Sequence, residues 1–258
     1  MTYSAPDIEE LLQQIHDGRV TVEKLPEPLY FAIAEYLKRA IYEGFEVAVD
    51  DLLINRDYEL IKELRNNIYR FSGAKTYQQV REMTDLLVGN NGVRSFREFK
   101  PLALEVFDKY NVTWLQAEYN TAIGQAQMAS KWSEIVRNED VLPYLRYDAI
   151  GDACPICKPL DGIIAPVHDH IWRSISPLNH FNCFCVLLQE TKSVTPTDVN
   201  KRELALNGFK QVVSDDFNMN PYFDKVVFNS NHAYFSNIPK KDVNLAKSNF
   251  GLTIPEND

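Results

Sequence analysis

The chain has no glycine-rich phosphate loop. Its ten glycines are scattered, and neither G-x-G-x-x-G nor a Walker sequence occurs, so no backbone cradle for a nucleotide is indicated. The strained serine elbow G-x-S-x-G is also missing, which leaves hydrolase chemistry of that type without a nucleophile. No stretch approaches the ~20 apolar residues that a membrane-spanning helix requires. Internal repeats and low-complexity tracts are absent, which excludes solenoids and compositional linkers. Basic residues are in the minority, 27 Lys and Arg against 36 Asp and Glu for a net charge of −9. That balance opposes autonomous binding to nucleic acid, because neutralising phosphates takes clustered cations. Small basic spots such as Lys240-Lys241 read as solvated surface. The opening Met1-Thr-Tyr-Ser-Ala-Pro-Asp shows no apolar leader, from which a reducing compartment is expected.

Cysteine is scarce as well, but its distribution is informative. All four cysteines fall between residues 154 and 185, as Cys154-Pro-Ile-Cys157 and Cys183-Phe-Cys185. His168 and His170 lie between the pairs, and His180 precedes Cys183 by three. Four thiolates, or three with one imidazole, form the tetrahedral soft-donor set of closed structural zinc sites. The Cys-x-x-Cys half carries most of the signal, since one tight turn brings two sulfurs to one metal. Alternate residues on a strand share a face but sit further apart, so His180 competes with Cys185 for the last position. Disulfides and unligated buried thiols are the competing readings, and each of them is also a stability role. As a zinc staple, the cluster would make metal binding part of the folding free energy of the segment.

At 258 residues the chain has length for one large domain or two smaller ones. The expected fold class is α+β, a mainly helical N-terminal half followed by a small α+β domain stapled by the Cys/His cluster. Pro6-Asp7 opens an amphipathic helix that Gly18 stops. A longer helix is expected from Pro28 to about Leu53, with Ile33, Leu37, Ile41, Phe45 and Val49 as an i, i+4 ladder. Thr76-x-x-Gln79 and Ser95-x-x-Glu98 fit the capping box and predict two further helix starts, with Gly89 and Asn90-Asn91-Gly92 as the loop between them. Thr113 to about Arg137 is the most regular helix, with Leu115, Tyr119, Ala122, Ala126, Ala129 and Val136 on one face. Its alanines would let a neighbouring helix approach closely.

The pattern changes after Asp140. Leu142–Ile150 and Cys183–Leu188 read as strands, and Thr195-Pro196 opens a short helix expected to end at Gly208. From Phe209 onward no period is visible, and a loop-like tail wrapping a partner or its own domain is expected. The resulting division is 1–110 as a helical docking arm, 111–208 as the cysteine-bearing domain and 209–258 as an irregular tail.

Catalytic alternatives have partial support in the residues. A Cys183/His180 nucleophilic pair would not need three further cysteines beside it. His168-Asp169-His170-Ile171 with Pro177 and Asn179 or Asn182 echoes HNH-type divalent-metal nucleases, in which His activates water and a second His or Asn holds the cation. The echo departs from the pattern in its Cys-x-Cys second pair, in lacking a closing His and in its acidic surroundings. A polar surface loop is the simpler reading of His168 and His170.

The run Tyr147-Asp-Ala-Ile-Gly-Asp-Ala-Cys154-Pro-Ile-Cys157, the turn Leu160-Asp161-Gly162 and the closure Pro177-Leu-Asn-His180-Phe-Asn-Cys183-Phe-Cys185 resemble the phage Mu F-like minor head proteins. These group with the SPP1-type head morphogenesis proteins of tailed phages and prophages. Tyr110–Asn120 and Phe228–Phe235 also look like segments of that family, so the resemblance spans about residues 105 to 235. Phe184 stands where the family usually has Arg, and Ala233 where Pro is common. The Arg-to-Phe departure removes a salt bridge and leaves the donor set Cys154, Cys157, His180, Cys183 and Cys185 intact. The resemblance implies a non-enzymatic virion protein, associated with the portal protein and other head proteins. It implies a role in head assembly and in DNA packaging or ejection, with packaged DNA contacted only indirectly. Neither a membrane nor a small-molecule substrate is implied. Localisation would be the virion head, assembled in the host cytoplasm. An HNH-like nuclease is the alternative.

Overall fold

The computed structural model describes residues 4–90, 92–150, 154–181 and 183–256. Asn91, Gly151, Asp152, Ala153 and Asn182, named in the motifs above, lie outside them. The architecture is α+β, as expected. Helices α1 (Ala5–His16), α2 (Glu27–Gly44) and α3 (Tyr58–Asp85) come first. A minimal hairpin of β1 (Val88–Gly89) and β2 (Gly92–Val93) precedes α4 (Phe96–Asp108) and α5 (Leu115–Arg137). A three-stranded antiparallel sheet follows, in the order β4 (Ile164–Pro166), β3 (Tyr144–Asp148), β5 (Val186–Glu190), with α6 (Trp172–Ile175) and α7 (Val199–Val212) beside it in sequence.

Local chemistry explains most helix limits. α1 begins in a capping box, Ser4 with Asp7, that satisfies orphan N–H groups at its first turn. At α4 the Glu98 carboxylate accepts the Ser95 N–H at 2.9 Å, as the motif predicts. α2 is shorter than the expected span to Leu53. Val47 N–H bonds to Tyr42 O at 3.0 Å and Glu46 N–H to Glu43 O at 3.1 Å, the paired closure of a Schellman motif. Glu46 takes the left-handed conformation, φ 54°, where glycine is usual, which is why the stop was not legible. A 3-10 turn, Val49–Ile54, follows. Thr76 does not start a helix. It lies inside α3, fully buried, with its hydroxyl donating to Ser72 O at 2.8 Å. Gly73, in the turn before it, is a close-approach position, since a Cβ there would lie 2.5 Å from Asn249 Oδ1.

The alanine face of α5 works as expected. A Cβ on Gly44 would fall 2.5 Å from Ala126 Cβ and 2.8 Å from Ile123 O, so the end of α2 reaches α5 only because both positions are small. Gly124 admits Leu178 in the same way. In the sheet, Leu145 pairs with Ala165 and Gln189, and Tyr147 with Leu187. Leu145, Tyr147, Ala165 and Leu187 bury one face with Trp132, Trp172 and Ile175. Arg146 on the other face pairs with Glu190 at 2.9 Å. α7 runs past Gly208 to Val212 because one more turn buries Phe209 and satisfies the Val213 N–H through Phe209 O. That gain offsets the ~1 kcal/mol cost of a mid-helix glycine.

The chain forms two compact units. One comprises the described residues of Met1–Arg39, Arg65–Tyr119 and Ala233–Asp258, the other those of Ala40–Leu64 and Asn120–His232. The residues after Phe209 serve both. Asn220, fully buried, caps the turn Pro221–Asp224 and donates to Trp172 O at 3.1 Å in the second unit. In the first unit Phe250 stacks on Tyr77 at 4.9 Å and Tyr30 donates to Thr253 O at 2.9 Å.

The first unit also contains a buried ion pair. Between α4 and α5 the helix widens to a π turn, Lys109–Trp114, and the Lys75 ammonium donates to Tyr110 O at 2.7 Å and to Glu118 Oε2 at 2.6 Å. Tyr234 donates to the other Glu118 oxygen at 2.7 Å. Burial pushes the Lys75 ammonium toward lower pKa, and the Glu118 carboxylate opposes that shift. Glu118→Ala is expected to cost about 3–5 kcal/mol, since it strands a buried charge, whereas Lys75→Met with Glu118→Leu should recover most of the loss. Urea denaturation midpoints of the three proteins check this. An unchanged midpoint in Glu118→Ala would deny the pair any role in stability.

Candidate metal centre

Two short turns deliver the sulfurs. In the first, Cys157 N–H and Lys158 N–H both bond to Cys154 O, at 3.1 and 3.0 Å, so the chain folds back within the Cys-x-x-Cys spacing. A 3-10 turn, Lys158–Leu160, leads into Asp161 and Gly162. Gly162 stands at φ 71° and donates to Tyr147 O at 2.9 Å, while Asp161 accepts from Ala149 N–H at 3.0 Å. The Leu-Asp-Gly turn therefore pins the first pair to β3. The second pair is presented differently from the expected strand. β5 starts only at Val186, and Cys183 and Cys185 lie in the irregular lead-in, where Cys183 N–H bonds to His180 O at 3.2 Å. Off the ladder, their sulfurs are free to converge.

They converge on Cys157. Cys157, Cys183 and Cys185 form one group whose sulfurs lie within 4.8 Å of one another; Cys154, Cys157 and His180 form a second. All five expected donors are thus brought together, in two triads that share one residue. Cys157, Cys183 and Cys185 are buried, while Cys154 and His180 are half-buried at the rim. Zinc–sulfur bonds of ~2.3 Å place two tetrahedral thiolates about 3.8 Å apart, and Cys157 and Cys183 stand at 3.9 Å. Cys154 Sγ and His180 Nε2 are closer, 3.0 Å, which is hydrogen-bond distance. With His180 Nδ1–H donating to Phe181 O at 2.8 Å, Nε2 carries the lone pair that faces the cluster, as a metal-binding imidazole requires. The donor set fits a soft divalent ion, and the cluster could hold one.

Surrounding groups favour the thiolate at one position of the buried triad, while Cys157 and Cys183 are pushed up. Cys185 is held well below the usual thiol range, chiefly by hydrogen bonds from Cys157 and Cys183, with Tyr147 and the Ile150 N–H adding to them. Burial, and donation to Cys157 and Cys185, push the Tyr147 phenol well above its ordinary value, so it stays a donor. Asn179, fully buried, fixes that donor: its Nδ2 gives hydrogen bonds to Tyr147 Oη at 2.8 Å and Ile175 O at 3.2 Å. The phenol proton is thereby left for sulfur. Sequence reasoning assigned Tyr147 and Asn179 no such role, although both sit in the motif runs.

His168 and His170 belong to neither triad. Both are exposed. His168 pairs with Glu139 at 2.8 Å and His170 with Glu203 at 2.9 Å, while Asp169 holds Arg202. This is a charged surface loop, and the Asn179 of the nuclease pattern is occupied inside the core.

A family model described as Phage Mu protein F like protein matches residues 59–188. The chain belongs to the Phage Mu protein F like family. No curated protein and no solved structure matches it. The Mu F-like segment starts earlier and ends earlier than the resemblance suggested, running from the first turn of α3 to the middle of β5. It contains the whole donor cluster. Phe184, between the last two cysteines, is 75% exposed, so its side chain belongs to the surface and not to the donor cluster.

Replacing Asn179 by the similarly shaped Leu is expected to destabilise the protein by about 1–3 kcal/mol, because the Tyr147 hydroxyl loses its buried donor. Thermal unfolding of Asn179→Leu beside Tyr147→Phe checks this. Equal stability of Asn179→Leu and the parent would remove Asn179 from the support of the cluster.

Proposed function

We propose that the protein is a minor component of a phage or prophage head, acting at the portal vertex in head assembly and in DNA packaging or ejection without catalysis of its own. Family membership over residues 59–188 is the observation that carries this reading. The cluster supports it. Three of the five donors are buried in the core and the others close its rim, an arrangement suited to a closed structural ion and not to one with an open coordination position. In this reading Zn2+ is held by four of Cys154, Cys157, His180, Cys183 and Cys185, and its contribution is stability. Residues 1–110 serve as the docking region toward the portal protein, 111–208 as the cysteine-bearing domain and 209–258 as the tail, with the family match of residues 59–188 reaching into the docking region. Other head proteins are further partners, and packaged DNA is met only indirectly. Among the described residues no helix is long and apolar enough to cross a membrane.

Peptide mass spectrometry with cross-linking on purified, DNase-treated particles tests the placement. The expected outcome is a few copies per particle, cross-linked to the portal protein through residues 1–110. Absence from particles despite expression would remove the head reading. A divalent-cation-dependent DNA cut, lost in His170→Ala, would replace it with the nuclease.

The metal assignment has its own test. Native mass spectrometry of the intact chain should show one zinc. Cys157→Ser should lose it and unfold at lower temperature, since Cys157 belongs to both triads and roughly 10 kcal/mol of binding free energy is coupled to folding in such sites. His180→Ala and Cys185→Ser, measured in parallel, identify the fourth ligand as the one whose loss releases zinc. Full zinc retention in Cys157→Ser would overturn the assignment.

A further inference from the structure

The second unit carries two exposed features that match each other. One is a groove of about 370 Å³ between the Cys-x-x-Cys turn and α7, walled by Pro155, Ile156 and Pro159 on one side and by Leu204, Gly208 and Val212 on the other. Leu204 is 75% exposed and Val212 55%, so apolar side chains stand in solvent along the helix. Lys201 lines one end, no carboxylate lines the groove among the described residues, and Lys158, exposed, precedes the lining residue Pro159 in sequence. Gly208 is informative here. It sits inside α7, where glycine costs about 1 kcal/mol against alanine, and among the described residues nothing lies within 4 Å of where its Cβ would be. No packing against those residues requires it. A bare helix backbone at the floor of an apolar groove lets another chain approach closely.

The second feature is the 3-10 turn Val49–Ile54. Leu52 is buried and anchors it, with Asn55 N–H bonded to Leu52 O at 3.0 Å. Leu53 and Ile54 project into solvent, 76% and 84% exposed, directly after the exposed carboxylates Asp50 and Asp51. Two adjacent aliphatic side chains at such exposure, next to two acids, form the complement of an apolar groove edged by lysines.

We propose that the protein associates with itself head to tail, the Asp50–Ile54 turn of one copy seating in the groove between the Cys-x-x-Cys turn and α7 of the next. Leu53 and Ile54 enter between Ile156 and Leu204 over Gly208, and Asp50 and Asp51 face Lys201 and Lys158. The two surfaces differ, so the contact is heterologous and repeats until a ring closes or a filament grows. It does not depend on the portal reading.

The test uses the full-length chain in sedimentation-velocity runs over a concentration series. The parent should show a mass that rises with concentration and passes beyond the dimer. Ile54→Asp, which spoils only the turn, and Leu204→Asp, which spoils only the groove, should each remain monomeric. Mixed together, the two should restore a 1:1 dimer and nothing larger, because one intact turn and one intact groove remain. Lys201→Glu should weaken association about tenfold by replacing attraction with repulsion, and adding Asp50→Lys should return most of it. All four positions are on the surface, and circular dichroism melts matching the parent confirm folding. A parent that stays monomeric throughout overturns the proposal, as does undiminished association of either Asp variant or a mixture that fails to dimerise.

Discussion

Cys157 is the residue on which the second unit depends. It is the only member of both donor triads, and the surrounding backbone is arranged to bring other sulfurs to it. The turn at Cys154 folds back by two hydrogen bonds to one carbonyl, and the Leu-Asp-Gly turn ties that segment to β3. The closing segment withholds Cys183 and Cys185 from the sheet until both have turned inward. Soft donors gathered this closely repel one another as thiolates. A bound ion removes that repulsion, and in its absence the protons shared among Cys157, Cys183 and Cys185 must do so. Tyr147 and Asn179 then stand as a second layer, converting the sheet's inner face into a donor aimed at sulfur. The cluster is thus continuous with the hydrophobic core and not appended to it.

The first unit solves a different problem. Lys75 and Glu118 are both removed from water, so each must satisfy the other. The π turn at Lys109–Trp114 supplies the additional acceptor, Tyr110 O, and Tyr234 supplies the additional donor. Rings of Tyr110 and Tyr234, stacked at 5.7 Å, lie near the ammonium. A buried pair of this kind is weak evidence for net stability, but a packing that separates the partners leaves a charge stranded and is disfavoured.

Which features were legible in the sequence follows from where their causes lie. Ser95 and Glu98 cap α4 through contacts three residues apart, and the alanine face of α5 is a period, so both could be read. The donor cluster was legible because thiols scattered by chance over a 258-residue chain would not all gather within 32 positions. Thr76 misled because a capping box is a local pattern, and α3 overrides it by burying Thr76 and its neighbours. The stop at Gly44 was hidden by Glu46 taking a conformation that glycine advertises. The Lys75–Glu118 pair was not legible, since nothing local marks a charge whose partner is 43 residues away. The last segment showed no period because its order comes from single anchors such as Asn220, Tyr234, Asn249 and Phe250, each fixed by residues distant in sequence.

The spacing of the first cysteine pair has a consequence beyond ligation. A tight turn between two ligands leaves two residues whose side chains cannot point at the metal, and here these are Pro155 and Ile156. They face α7 across the groove. Any occupancy that fixes Cys154 against Cys157 therefore also fixes one wall of that groove, while the other wall is set independently by Leu206 and Phe209 packing α7 into the core. The width of the groove is then a property of the cluster as much as of the helix. A displacement of Cys154 relative to Cys157 would therefore reach the surface through Pro155 and Ile156.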